Sequence, residues 1–221
     1  GLHVPMVVRI PDNFSRLVDH TPGTRLDGFV SFVDFGPTVL NLAGLPLHPA
    51  LDGRPFLGKG VSSKTLAGRD ESFGYADRFD EKYDLVRSLR KGRFTYIRNF
   101  QAFYPDGLQN NYRYRMLAFQ EWRQLHRAGK LNSLQRQFFS PRPAEQLFDV
   151  EKDPHQVHDL SSDPAHKEVL ILLRRRLREK VLAINDLSLY PESRQVSEFL
   201  DDPIGFGTRH HDEIAALHDI A

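Results

Sequence analysis

The chain has 221 residues, with 30 Lys+Arg against 29 Asp+Glu, a formal net charge of +1 and no cysteine. A hydrophobic fraction of 40% with 16 Phe is enough for a packed core and excludes a wholly disordered chain. The near-neutral balance argues against an electrostatic nucleic-acid binder, and without Cys the chain has no disulfide, thiolate metal site or cysteine nucleophile.

The opening Val4–Pro11 reads as a short buried strand stopped by Pro11. Ser31 and Asp34 then form a capping pair, Pro37 suits a first turn and Gly44 a helix end, which predicts one short helix burying Val39, Leu40 and Leu42. Residues 45–71 are mostly a connecting loop. Three aromatic and β-branched runs follow at Ser72–Arg78, Asp84–Arg90 and Arg93–Phe100, with Lys91-Gly92 as a hairpin turn. Met116–Ala128 and Leu131–Phe139 are expected as short helices in an excursion from this sheet, and Gln146–Val150 as its fourth strand. Asp163-Pro164 opens the clearest helix, whose stripe Leu170, Leu173, Leu177 and Val181 runs to about Asn185. The last 35 residues, with Pro191 and Pro203, read as an extended surface tail.

The longest apolar run, Val169–Leu173, is far short of the ~20 residues needed to cross a bilayer. No charged-then-apolar leader is visible. The chain opens on Gly rather than Met and enters a strand-like stretch almost at once, so further sequence is expected upstream.

Residue types alone give little chemistry. Ten histidines include the pair His155/His158 and the cluster His210, His211 and His218, but neither comes with the three or four convergent ligands of a zinc site. The run Arg174-Arg175-Arg176 with Arg178 fans round a helix as a solvated face. The Tyr104–Arg127 stretch mixes aromatics with arginines in the manner of carbohydrate pockets and protein interfaces, and equally of a self-packed insertion. There is no Gly-x-Ser-x-Gly elbow, Gly-rich phosphate loop or His-Glu-x-x-His motif.

Longer stretches say more. Gly1–Val8, Val30–Pro46 and Leu51-Asp52-Gly53-Arg54-Pro55 resemble consecutive segments of the type I, formylglycine-dependent sulfatases of the alkaline phosphatase-like superfamily. So do Val86–Arg98, the Glu145–Gln156 strand and turn, Asp159-Leu160 and the helix from Asp163. The excursion at 101–143 is similar to the heparan N-sulfatase-like branch. His3 departs from the pattern, where Arg is usual.

The resemblance implies an α/β protein of which this chain is the C-terminal portion. Residues 1–65 would be the last strand and helix of the α/β/α catalytic domain, 66–186 a small antiparallel sheet with a packed helix, and 187–221 the tail. It implies hydrolysis of sulfate esters or N-sulfates of a sulfated carbohydrate, with calcium in the complete protein. The nucleophile motif Cys/Ser-x-Pro/Ala-x-Arg is absent here, and the calcium and sulfate ligands belong to segments upstream. The chain alone is therefore expected to be inactive, with no catalytic or metal residue of its own and the missing catalytic portion as its partner. Tyr83 and Arg87 are its candidates for substrate contact, against a plainer role in sheet packing. Family habit suggests a periplasmic, secreted or lysosomal site. The competing reading is a non-catalytic module that binds a glycan or protein through the Tyr112–Trp122 surface.

Overall fold

The computed structural model describes residues 3–220, which fall into two compact units divided between Ser72 and Phe73. The first is organised around one carboxylate. Asp34 accepts the Ser31 N–H at 3.0 Å and the Arg54 N–H at 2.8 Å, while Arg69 Nη1 lies 3.5 Å away. These bonds fix the entry to helix α1 (Phe35–Leu42), as the capping pair predicts. Thr38 continues the knot: its hydroxyl donates to Asp34 O and accepts the Phe56 N–H at 3.0 Å. Gly53 is required here, because a Cβ would stand 2.0 Å from the Val33 carbonyl oxygen. A short helix α2 (Ser63–Ala67) is capped by Ser62, and Phe56, Leu57 and Leu66 form a small core with Ile10, Val18, Leu26, Val30 and Leu42.

Two expectations change in this unit. Residues 4–10, expected as a strand, run extended but unpaired. A strand exists only through its ladder, no described segment supplies one, and Val7 stays 94% exposed. Val39, expected in the core, is exposed as well.

The second unit is an antiparallel sheet in the order β1-β2-β3-β4, from β1 (Glu71–Phe79), β2 (Lys82–Lys91), β3 (Phe94–Asn99) and β4 (Glu145–Asp149). The hairpin turn sits one residue later than expected. Lys91 pairs with Phe94, so Gly92-Arg93 is the loop, with Gly92 taking the left-handed backbone that its position demands (φ +53°). The register aligns Leu89, Tyr96 and Leu147 across three strands. Onto that layer packs helix α5 (Lys167–Ala183) through Leu170, Leu173, Leu177 and Val181, each such burial stabilising by roughly 1.5–3 kcal/mol. Asp163 caps the preceding turn by accepting the Ala165 N–H at 2.9 Å.

Between β3 and β4 the excursion carries α3 (Leu117–Arg127) and α4 (Ser133–Arg136). Beyond α5, residues 187–220 are helical rather than the expected extended tail. A short α6 (Glu192–Arg194) continues as a π-helical turn, followed by α7 (Pro203–Arg209) and α8 (His211–Ile220). They close over a core of Tyr190, Phe199, Phe206 and Ile214. Asp202-Pro203 is a helix start of the same kind as Asp163-Pro164: the Asp202 carboxylate accepts the Gly205 N–H. Arg178 on α5 holds Asp219 on α8 by two bonds of 2.6 and 2.7 Å. No described helix is long and apolar enough to cross a membrane.

Candidate functional site

The two residues proposed from sequence to touch substrate lie together, in an ionic joint. Arg87 is 1% exposed. Its guanidinium grips Asp186 through Nε and Nη2, and donates from Nη1 to Asp77 at 2.7 Å. Burial works to lower the Arg87 pKa, but the two carboxylates outweigh it and raise it. Tyr83 donates to Ser188 O at 3.4 Å, its ring lies under the Arg78 guanidinium, and burial pushes its phenol pKa up. Arg78 in turn pairs with Glu192. The joint thus ties β1 and β2 to the segment that follows α5. The Arg87 guanidinium has a protein acceptor on each nitrogen, which suits positioning better than recognition.

A concavity of about 620 Å³ borders this joint, sharing Asp77 and Arg78 with it, and is lined by all four strands and the excursion. Val86, Ile97, Asn99 and Gln146 contribute from the sheet. Because β2 pairs Val86 with Asn99 and β3 pairs Ile97 with Gln146, these side chains occupy the face opposite the Leu89–Tyr96–Leu147 layer that α5 covers.

At its margin is a network of buried charge. Asp84 accepts from Lys82 Nζ at 3.0 Å and from both Arg142 Nη atoms at 3.0 and 2.6 Å. Burial alone would raise the Asp84 carboxyl, yet the Arg142 and Lys82 donors outweigh it and hold it below the ordinary carboxylate range. Arg142 is saturated: it also reaches Asp106 Oδ1 and the carbonyls of Gln101 and Tyr104. It therefore anchors the excursion to β2. Lys82 remains less committed, with Asp106 Oδ1 as a second neighbour at 3.5 Å.

The arginine-rich aromatics of the excursion mostly pack on one another. Trp122 stacks on Phe138 at 4.2 Å, His126 on Phe139 at 4.2 Å, and Arg113 lies over Phe119 and Phe138. Tyr112 stays exposed, edge-on to Phe79. The histidines have local duties too. The Asp153 carboxylate accepts the backbone N–H of His158, while the His210 ring stacks on Phe206 and the His211 ring meets Asn185 at 2.7 Å. Among the described residues no three carboxylates or imidazoles converge to hold a metal ion. The described residues thus do not fit the calcium that the resemblance implies for the complete protein.

From sequence, residues 80–84 read as a loop bordering the active-site mouth of the complete protein, which takes in Lys82 and Asp84 without giving them a role; Asp106 and Arg142 were missed. The only local signal was Lys82 and Asp84 two apart on one strand face; Arg142 lies 58 positions from Asp84 with nothing in the sequence to link them.

Comparison with known proteins agrees with the resemblance. No family model matches the chain. An ulvan-active sulfatase of Formosa agariphila is 35% identical over 199 residues, which covers 90% of this chain and 32% of that protein. The N-sulphoglucosamine sulphohydrolase of Homo sapiens is 25% identical over 195 residues, covering 80% of this chain and 36% of that protein. A solved 2-O GAG sulfatase aligns over 69% of the chain and 25% of its own with 18% identity and a TM-score of 0.43, too loose a likeness to argue from. This chain spans about a third of the length of the relatives it matches in sequence. The matched stretch includes most of both units, and on that ground the chain belongs to the sulfatase family.

Proposed function

We propose that this chain is the C-terminal portion of a sulfatase which, when complete, hydrolyses sulfate groups on a sulfated carbohydrate, and that the chain alone is catalytically silent. The observation that carries the reading is the 35% identity to an ulvan-active sulfatase over nine-tenths of the chain. The structure gives the motifs behind the family resemblance a physical sense. The Val33-Asp34 and Asp52-Gly53-Arg54 segments are two halves of one knot, in which Asp34 holds the Arg54 N–H and Gly53 lies against the Val33 carbonyl.

Silence of the chain alone follows from what its residues lack. Sulfate hydrolysis needs an activated nucleophile and fixed cations to hold the developing charge. The sequence has no Cys and no Ser in the nucleophile motif. Calcium in the complete protein would supply polarisation of the nucleophile and would be held by residues outside this chain. What this chain adds is a scaffold and a polar concavity.

The test is sulfate release from ulvan and from N-sulfated glucosaminides. It compares the purified chain with a chimera joining it to the preceding two-thirds of the Formosa sulfatase. Release by the chimera alone is the expected result. Turnover by the chain alone would overturn its silence. A folded chimera inert on every sulfated carbohydrate, with glycan bound tightly by the chain, would replace the reading by that of a binding module.

A further inference from the structure

The concavity of the second unit holds hydrogen-bond donors that its own carboxylates do not use. Lys82 has three ammonium hydrogens on a side chain only 6% exposed. One meets Asp84 at 3.0 Å, a second has Asp106 Oδ1 at 3.5 Å, and the third has no protein acceptor within hydrogen-bonding reach. Gln146 turns its carbonyl to the Asn99 amide at 3.0 Å, which leaves its own NH2 group without a protein acceptor. Arg113 commits Nη1 to Asp106 O at 2.6 Å, and its remaining N–H groups have none.

Acceptors are scarce by comparison. Both Asp84 oxygens are occupied by Arg142 and Lys82. Asp106 Oδ1 serves Arg142, so Oδ2 is its open acceptor, on a side chain 46% exposed. Val86 and Ile97 supply an apolar stretch of wall. The volume, about 620 Å³, lies within the ~300–1,000 Å³ range of small-molecule sites.

A ligand that satisfies this wall carries a negative group for the lysine and the amide, a hydroxyl to donate to Asp106, and a C–H face for the aliphatic side chains. A cation would meet Lys82, Arg113 and Arg142. A neutral ligand would leave a buried ammonium hydrogen unmet, a loss of the kind that makes such groups discriminating. We propose that this concavity binds an acidic saccharide unit, with Lys82 and Gln146 holding its sulfate or carboxylate and Asp106 accepting a ring hydroxyl. The proposal rests on the reading of the chain as part of a carbohydrate sulfatase, which supplies the saccharide.

The test titrates the full 221-residue chain with three probes, followed by NMR shifts and calorimetry: a sulfated ulvan oligosaccharide, its desulfated uronate-bearing counterpart, and uncharged cellobiose. Binding of the first alone assigns the anion as sulfate, and of the first two as carboxylate. Lys82→Met removes the ammonium but leaves Asp84 its bidentate Arg142. Gln146→Ala, on the sheet face, tests the site without touching buried charge. Each should weaken binding by about tenfold or more. Lys82→Met also loses a buried ion pair with Asp84 and should melt lower, so its affinity is read well below its own midpoint, whereas Gln146→Ala loses one bond from Asn99, which keeps Pro143 O.

Equal affinity for cellobiose would overturn the proposal, as would no shift at Val86, Ile97 or Gln146 up to about 10 mM probe, or wild-type affinity in both variants. The outcome is separable from that of the preceding section. A chimera that releases sulfate while the concavity binds nothing sinks this inference alone. Binding by the chain beside a folded but inert chimera sinks the sulfatase reading alone.

Discussion

Replacing Arg87 by Met separates a structural role from a recognition role at this position. Met keeps much of the aliphatic stem and removes every donor. Asp186, with a side chain 7% exposed, loses both guanidinium bonds and retains the Ser188 N–H at 3.1 Å. Asp77, 28% exposed, keeps the Ser188 hydroxyl at 3.0 Å and gains water. Breaking a buried pair from one side costs about 3–5 kcal/mol. With one backbone donor left on Asp186 and solvent near Asp77, the lower end applies, about 3 kcal/mol.

The assay is urea unfolding followed by fluorescence of Trp122, the sole tryptophan, which belongs to the second unit. With m near 2 kcal/mol/M, the midpoint should fall by about 1.5 M. Arg87→Met combined with Asp186→Asn should recover part of the loss, since no unpaired charge then remains buried at Asp186. A midpoint shift under about 0.3 M would refute the reasoning. So would a variant that folds normally yet loses saccharide affinity, which would return Arg87 to the role of ligand contact.

Leu173→Ala, at the centre of the α5 stripe and 1% exposed, should cost about 2–5 kcal/mol by leaving a cavity against the sheet; a change below about 1 kcal/mol in the same urea assay would contradict the packing. At low pH the sign is fixed by Asp84 and Glu145, whose folded pKa values are depressed. Their contribution is full above the ordinary carboxylate range and is lost as pH falls through the folded values. Asp84→Asn should flatten the acid limb of a stability-pH curve, and an unchanged limb would count against the network. At high pH Tyr96 sets the opposite sign: burial, and then the Glu145 carboxylate, raise its phenol pKa. Its contribution is complete below the unfolded value and is lost as pH rises through the folded one. Tyr96→Phe should therefore reduce the alkaline loss of stability, and ultraviolet titration of that variant should show one phenol fewer ionising only on unfolding.

Four strands and the main helix were legible because their signals are local: aromatic and β-branched runs about a turn, a stripe at spacings of three and four, an Asp-Pro start. The same Asp-Pro signal stands at Asp202-Pro203, but the density of Pro and Gly round it reads as a tail and hides the terminal helices. Phe199, Phe206 and Ile214 show that this segment had a core to build. The strand at residues 4–10 failed for the converse reason. Its composition is that of a buried strand, but pairing is a property of two segments. At the candidate site, Arg87 was picked out by its motif, yet its partners Asp77 and Asp186 lie ten and 99 positions away. Nothing in a single sequence distinguishes an arginine held by distant carboxylates from one that greets a ligand.

The excursion between β3 and β4 leaves and re-enters the sheet at adjacent points. The Asn99 N–H bonds Ala144 O at 2.9 Å, and the Arg142 N–H bonds Ala102 O at 2.8 Å. Its length therefore has little bearing on how the strands meet, since a tenfold longer connection costs only about 2 kcal/mol more in closure entropy. It carries its own aromatic filling and is fastened to β2 through the Arg142 clasp. In evolutionary terms this is a cassette on a chassis. Residues 101–141 can lengthen, shorten or be exchanged while the layer beneath α5 keeps its neighbours, so one wall of the concavity is free to change its chemistry without renegotiating the fold.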